Sequence, residues 1–430
     1  EVATTRTYGS LEGSAPASRT GSMTIGLNTS IVLLPETPMQ RRIWDQRVGY
    51  FTNKYTIFND EQTKTDREEF ISRFRLEPKD KRAYAKGKLT EPVKPIVFYI
   101  DPATPKKWVP YLKQGIEDWN AAFETAGFKH AIQARDWPDD PKMSVDDARF
   151  NVLRYLPAEI ENAYGPRIVD PRSGEIIETH ICWYHNVMKL LKEWYMIQCG
   201  PNDKRAQTVH MDDKLMGELV RFVSSHEVGH TLGLRHNMGA SHATPVEKLR
   251  DKKWVEEHGH TASIMDYARF NYVAQPEDGI SERGLFPRVN DYDKWAIRWG
   301  YQYRPEFKDE KDEKEHLMTE TTAILAKNPR LWFGGEGKNE DPRAQREDLG
   351  DDNVKASDYG IKNLKRIIVA LPAWTKQPND QYEDRMEMWK SVVSQFNRYT
   401  NHVLKNVGGR YLNNMPGQKP YEVAPAQKGR

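Results

Sequence analysis

The sequence predicts an α+β fold in which several strands pack on one long helix. Apolar stretches rich in β-branched and aromatic residues, separated by turn signals, cluster between residues 96 and 184. One long helical stretch follows them, from about Met211 to Leu232. The order is therefore strand, helix, several strands and a long helix, which is typical of an α+β domain.

The composition excludes several classes of protein. The chain has 430 residues, of which 38% are hydrophobic and 11% aromatic, so two or three folded units with a sizeable core are expected. The net charge of +2 predicts no nucleic-acid partner and no attraction to anionic lipid. Apolar runs such as "RIIVALPAW" are shorter than the ~18 residues of a membrane helix, so no membrane-spanning segment is expected.

The chain divides into three predicted segments. Residues 1–92 begin with a flexible arm rich in Ser, Thr, Gly and Ala and continue with a β-like pattern. Residues 93–303 contain the clustered strands and the long helix. Residues 304–430 open with a charge run from Lys308 to His316, expected to be exposed, and are mainly helical before a loose tail. Because the chain begins with Glu1 and shows no signal peptide, we expect a processed or truncated chain.

Within residues 93–303 the elements can be placed in order. "KPIVFYIDP" predicts a strand over Ile96 to Ile100. Apolar residues recur at steps of four, three and four from Leu112 to Phe123, which predicts one amphipathic helix that ends at Gly127. "HAIQARDW" and "ARFNVLRYLP" predict two further strands, and "YGPRIVDPRSGEIIETHICWYH" predicts a strand, a turn and another strand. "DYDKWAIRWGYQY" predicts a helix after the long one.

The two cysteines leave two alternatives open. Cys182 and Cys199 are too few for a disulfide framework. They can form one bridge in an oxidising compartment or remain two buried thiols. Their spacing does not show whether the two Cβ atoms meet.

The stretch "SSHEVGHTLGLRH" carries residues suited to binding a metal. His226 and His230 are four residues apart, so on a helix their rings project from one face, one turn apart. Glu227 follows the first histidine directly, where its carboxylate can lie beside a metal without binding it. A general base for a metal-activated water needs this position.

The rest of the stretch supplies a third ligand. Gly233 can adopt positive φ, which lets the helix end and the chain turn sharply. His236 then returns to the same ion. Three protein ligands leave one position for water, as catalytic zinc sites require, whereas a closed structural site needs a fourth ligand. The spacing therefore predicts one catalytic Zn²⁺.

The pattern His226-Glu227-x-x-His230-x-x-Gly233-x-x-His236 resembles the metzincin zinc peptidases. The resemblance calls for a methionine in a tight turn beneath the metal, and "ASIMDYARF" supplies Met265. Tyr267 stands where astacin-like members place a tyrosine that reaches the transition-state oxyanion. Asn237 and Asp266 depart from the better-known subfamilies, so the subfamily stays open.

The resemblance implies the fold of residues 93–303 and a function. It implies a twisted mixed sheet over the active-site helix, and it is closest to large secreted bacterial zinc metalloproteases with additional domains. It further implies a zinc-dependent endopeptidase in which Glu227 activates the water and Tyr267 assists. We expect a peptide or protein substrate, an extracytoplasmic location and a monomer. A metal-dependent amidase acting on a non-peptide amide, and an inactive binding protein on the same scaffold, remain alternatives.

The resemblance also implies where a substrate binds. In metzincins an extended peptide pairs with the free edge of a strand above the cleft. We expect the strand before the long helix to form this edge, through five consecutive residues, Glu175, Ile176, Ile177, Glu178 and Thr179.

Other candidate metal ligands are weaker. The pairs His180 with His185 and His258 with His260 are read as ordinary structural residues. The acidic stretch "EDLGDDN", from Glu347 to Asn353, has oxygen ligands for a structural Ca²⁺ but lacks the spacing of an EF-hand loop. A solvated turn is the simpler interpretation of this stretch.

Overall fold

The computed structural model describes residues 2–9, 19–336, 340–378 and 381–413. The strands are β1 Val2–Gly9, β2 Ser22–Thr29, β3 Thr52–Ile57, β4 Asp66–Ile71, β5 Ile96–Ile100, β6 Ile132–Asp136, β7 Asn151–Leu156, β8 Ala163–Tyr164, β9 Arg167–Val169 and β10 Ile176–Tyr184. The helices are α1 Lys81–Ala85, α2 Val109–Glu117, α3 Asn120–Thr125, α4 Val187–Cys199, α5 Asp213–Thr231, α6 Lys252–His258, α7 Glu282–Leu285, α8 Asp291–Tyr301, α9 Glu310–Lys327, α10 Asn353–Trp374 and α11 Glu383–Leu404.

One mixed sheet forms the centre of the molecule. Its strand order is β6-β5-β7-β10-β8, with β9 also paired to β10. The strands β6, β5, β7 and β10 run parallel, whereas β8 and β9 run antiparallel to β10. Helix α5 packs against this sheet and against α2. The predicted α+β fold is confirmed.

Close packing between α2 and α5 places the long helix accurately. A Cβ at Gly115 would lie 2.7 Å from the carbonyl oxygen of Arg221, so only glycine allows this approach. Ser224 Oγ donates a 2.9 Å hydrogen bond to the Leu112 carbonyl. The Trp119 indole also donates to the Ser225 carbonyl at 2.8 Å. The second half of α5 is therefore held in place by α2 and by Trp119, which follows it.

The N-terminal segment contributes to the core of the sheet–helix unit. Val48, Tyr50 and Phe74 belong to the same buried hydrophobic cluster as the sheet and α5. The backbone N–H of Phe51 donates to the Gly233 carbonyl at 2.7 Å, where α5 has just ended. β3 and β4 form a hairpin beside this contact, while β1 and β2 form a separate, largely exposed hairpin.

The charge run from Lys308 to His316 is only partly exposed. It forms the first half of α9, where Asp309 accepts hydrogen bonds from the first turn. Glu313 is 2% exposed, however, and accepts a 2.5 Å hydrogen bond from Arg42. The prediction of a fully solvated run is wrong at this position, because one face of α9 packs on the N-terminal segment.

Three local expectations also change. The single helix predicted up to Gly127 is two helices, α2 and α3, although Gly127 does follow the second with φ +90°. Helix α4 was not predicted. Cys182 and Cys199 are both free thiols, which excludes the bridged alternative in this structure. No helix in the described ranges has the length and apolar character needed to cross a membrane.

Candidate metal centre

Helix α5 and the turn after it bring three histidines together. Asp212 caps the start of α5 by accepting from the Leu215 N–H, and the helix presents His226 and His230 one turn apart near its other end. The Nε2 atom of His236 lies 3.1 Å from Nε2 of His226 and 3.0 Å from Nε2 of His230. Three imidazole nitrogens this close leave room for one shared ion. In the described part of the chain this is the only such group of three or more ligating side chains.

The other ring nitrogen of each histidine faces an oxygen atom. Nδ1 of His226 donates to the Ile264 carbonyl at 2.7 Å, and Nδ1 of His230 donates to the Leu234 carbonyl at 2.9 Å. Nδ1 of His236 faces the carboxylate of Glu336. Partners of this kind fix the tautomer and leave Nε2 for a metal. The donor set therefore fits zinc, with three neutral imidazoles and room for a fourth ligand.

Burial favours the neutral imidazoles that such a site needs. It lowers the pKa of His226 well below its ordinary value and that of His230 to about 4, so both rings are neutral near pH 7. Burial also raises the pKa of Glu227 to about 8, an effect that nearby Arg269 opposes. Glu227 Oε2 is buried and has no hydrogen-bond partner among the described residues. A positive ion held by the three histidines would favour the ionised form of this carboxyl group, which can accept a proton from water.

Gly233 ends the helix for the predicted reason. Its φ is +96°, and a Cβ there would lie 2.2 Å from the carbonyl oxygen of Ser72. Any other residue would be strained and would also push away the N-terminal segment. The turn at Gly233 then returns His236 to the other two ligands.

Met265 lies beneath the triad in a tightly bonded turn. Met265 is fully buried, and a Cβ added at Gly229 would lie only 2.1 Å from its sulfur. Only glycine at this position of α5 leaves room for the methionine. The turn is fixed by Asp293 at the start of α8, which accepts from Ser263 Oγ at 2.6 Å and from the Ile264 N–H at 2.8 Å. Sequence reasoning missed Asp293, although Asn290 and Asp293 form a capping box that marks the helix start.

The two residues that depart from the known subfamilies are structural. Asn237 is fully buried, and its N–H donates to the Met265 carbonyl at 2.9 Å. Its side chain donates to the Trp332 carbonyl at 3.0 Å and accepts from the Gly334 N–H at 2.9 Å. Asp266 is also buried and accepts from Thr261 Oγ1 at 2.8 Å. Asn237 therefore attaches the segment after α9 to the metal centre.

Tyr267 lies against the ligands. Its ring centroid is 4.2 Å from that of His236 and 5.6 Å from that of His226. The guanidinium carbons of Arg269 and Arg346 lie 4.5 Å and 5.4 Å from the centre of the Tyr267 ring. Both arginines were absent from the sequence-based candidates, since nothing in their spacing links them to the motif.

The predicted substrate edge is wrong in its geometry. Strand β10 is not a free edge, because its residues from Ile176 to Thr179 pair with β9. Ile176, Glu178 and Thr179 are buried, and Glu175 binds Arg75 at 2.6 Å. The outer edge is formed by β8 and β9, and an edge position between them tolerates Pro166, which has no N–H to donate. At Gly165 a Cβ would lie 2.8 Å from Thr231 Cγ2, so this outer segment runs directly along α5.

The weaker metal candidates lie apart from any cluster. His180 pairs with Glu178 at 2.9 Å, and His260 is buried against the Arg269 carbonyl at 3.1 Å. In the acidic stretch, Glu347 accepts from two glutamine side chains and Asp352 caps α10. Its carboxylates thus have separate protein partners. None of them joins a group of three ligating side chains within the described ranges.

Comparison with known families agrees with this geometry. A family model described as Met-zincin matches residues 208–430, which is more than half of the chain and includes the zinc-site helix and the methionine turn. Residues 1–79 match a second model, described as a domain of unknown function (DUF5117). No curated protein and no solved structure matches. The converging histidines, the methionine turn and the family match identify a zinc metallopeptidase-like domain. The chain therefore belongs to the Met-zincin family.

Proposed function

We propose that the protein is a zinc-dependent endopeptidase. The observation that carries the proposal is the buried Glu227 side chain, which directly follows the ligand His226 and has an oxygen with no hydrogen-bond partner among the described residues, next to a triad that can hold a metal ion. An inactive scaffold has no need to keep an acid whose burial is unfavourable. A peptide is the favoured substrate because the outer segment of residues 163–169 pairs with β10 and runs along α5, where a Cβ at Gly165 would lie 3.6 Å from the Glu227 carbonyl oxygen.

Each residue of the proposed site has a separate role in the reaction. His226, His230 and His236 hold the ion, which when bound polarises the scissile carbonyl and makes water acidic enough to react near neutral pH. Glu227 accepts the proton of the attacking water and delivers it to the leaving amine. The Tyr267 hydroxyl donates a hydrogen bond to the developing oxyanion, a contribution of roughly 3 kcal/mol in comparable sites.

Substrate binding is proposed for the outer edge of β8 and β9. An extended peptide that adds to this edge gains main-chain hydrogen bonds with little sequence preference. Tyr164 and Ile168 are 46% and 49% exposed on this segment, so side chains are available to contact it. Peptide binding at β10 itself would require β9 to be displaced. We retain an extracytoplasmic location and a monomeric state as proposals.

Replacement of Glu227 tests the activity. The zinc-loaded protein should cleave an unstructured protein such as casein. Glu227→Gln should reduce turnover by roughly 100-fold or more, as expected for loss of a general base. Glu218→Gln, at a half-buried glutamate of the same helix that pairs with Arg221 two turns before the histidines, is the matched control and should keep its activity. Turnover and zinc content are measured on all three proteins.

The same experiment distinguishes the alternatives. A zinc-loaded wild type that cleaves no protein or peptide library, but hydrolyses small amides in a Glu227-dependent way, would indicate the amidase. No hydrolysis of either class, with zinc bound normally, would indicate the binding protein. Equal turnover in wild type and Glu227→Gln would contradict the assigned base.

A further inference from the structure

We infer that Arg167 is a carboxylate-binding residue of the cleft, so that the enzyme selects substrates with an acidic side chain near the scissile bond. The inference rests on the proposed peptidase function and adds a substrate class to it. Arg167 is the first residue of β9, in the outer segment that runs along α5.

The Arg167 guanidinium lies close to a metal ligand. Its Cζ is 3.8 Å from the centre of the Phe51 ring, and that ring centre is 6.0 Å from the ring centre of His230. The Phe51 backbone is fixed by its hydrogen bond to Gly233, and Arg167 is held in register opposite Thr179. The Phe51 ring therefore lies between the Arg167 guanidinium and His230. The backbones of Phe51 and Arg167 are both held by hydrogen bonding to neighbouring segments.

The cation lacks a counter-ion. Within the described ranges, Arg167 makes no ion pair and no side-chain hydrogen bond. The Glu178 carboxylate, on the adjacent strand β10, pairs with His180 instead. Burial lowers the pKa of Arg167 to about 10, as expected for a desolvated cation without a carboxylate partner. Arg167 is half-buried, and the Phe51 ring face satisfies none of its five N–H donors, so these donors remain available to a ligand.

A second arginine extends the positive charge. Arg346 is exposed, lies 5.4 Å from the centre of the Tyr267 ring and has no ion pair within the described ranges. Arg269 differs, since its partner is Glu347 at 3.7 Å. Arg167 and Arg346 are thus two cations near the metal ligands without an ion pair among the described residues, in a chain whose net charge is only +2. A carboxylate is the group that a guanidinium binds best, through two parallel hydrogen bonds.

Binding of small zinc-anchored probes tests the inference without turnover. The probes are hydroxamates of increasing chain length that end in a carboxylate, each compared with its methyl ester. At one length the carboxylate should bind the zinc-loaded protein roughly 10- to 100-fold more tightly, the usual value of a charged hydrogen bond. That ratio should disappear in Arg167→Gln and persist in part in Arg167→Lys. Arg135→Gln, at an exposed arginine on β6, is the matched control.

Peptide cleavage is a second, independent test of the role of Arg167. Matched peptides with Asp or Asn at each position near the cut are compared by kcat/KM. Wild type should favour Asp at one position, and Arg167→Gln should lose this preference while still cleaving the Asn peptides. Loss of the preference in Arg346→Gln but not in Arg167→Gln would overturn the assignment, as would equal probe ratios in wild type and Arg167→Gln. If no peptide is cleaved, the proposed function fails, and the probe ratios still decide the role of Arg167.

Discussion

At the residue scale, each zinc ligand depends on a partner from a different part of the chain. His230 uses the nearby Leu234 carbonyl, and His226 uses Ile264 in the methionine turn. His236 faces Glu336, from the segment after α9. The third partner is the only charged one of the three. Removal of the Glu336 charge should therefore lower the affinity for the metal.

Glu336→Gln should weaken zinc binding by roughly 10- to 100-fold, because it keeps the size of the side chain but removes the charge opposite Nδ1 of His236. Affinity is measured by competition with a chromophoric chelator. Glu340→Gln, at an exposed residue of the same segment, is the matched control. An unchanged affinity in Glu336→Gln would show that the carboxylate does not orient the ligand.

At the element scale, α11 holds the segment that carries Arg346 and Glu347. Nε2 of His402 donates to the Arg346 carbonyl at 2.8 Å, and the ring is 3% exposed. Burial lowers the pKa of His402 from 6.5 to about 4, while Glu347 opposes this change and Arg398 and Lys405 add to it. The folded protein therefore keeps this ring neutral over a pH range in which the unfolded chain protonates it.

Stability should consequently fall as the pH falls from about 6.5 towards 4, since only the unfolded state takes up this proton. A shift of this size corresponds to about 3 kcal/mol across the window. His402→Gln should reduce the slope of unfolding free energy against pH, as measured by urea titration at several pH values. His130→Gln, at an exposed ring, is the control. Parallel slopes in wild type and His402→Gln would argue against the assignment.

At the scale of the whole molecule, a buried ion pair joins distant parts of the chain. Arg42 donates to Glu313 of α9 at 2.5 Å and also to the carbonyls of Trp299 and Gly300 at the end of α8, at 2.8 and 2.7 Å. Cations stabilise helix C-termini, so the arginine both pairs a charge and caps a helix. The division into residues 1–92, 93–303 and 304–430 stays a prediction, but this contact links all three segments.

Glu313→Gln should destabilise the protein by about 3–5 kcal/mol, because it leaves the buried Arg42 charge without its carboxylate. The double variant Arg42→Met with Glu313→Leu should recover much of that loss. Unfolding free energies are measured by urea titration. A loss below about 1 kcal/mol would mean that the pair is screened in solution. Glu315→Gln, on the exposed face of α9, is the control.

Part of the fold and the centre of the site could be predicted because their signals are local. His226, Glu227 and His230 are fixed relative to one another by helical periodicity, and Gly233 marks the turn that returns His236. The strands β5, β6 and β7 each show a short apolar pattern of their own. By contrast, β10 was predicted to be the cleft edge, because a sequence does not show which of two consecutive strands lies outermost.

By itself, then, the sequence determined the histidine triad that can hold a metal ion, the methionine turn and the α+β class, and it led to the proposal of Glu227 as the base. Only the tertiary structure revealed the outer segment of residues 163–169, the contact of Glu336 with His236, and Asp293 beneath the turn. It also showed that Arg167 forms no ion pair with a carboxylate of the described residues. The physical reason is the range of the interactions. Helical spacing acts over a few residues, whereas strand order, charge balance and the partners of a buried group depend on chain segments far apart in sequence.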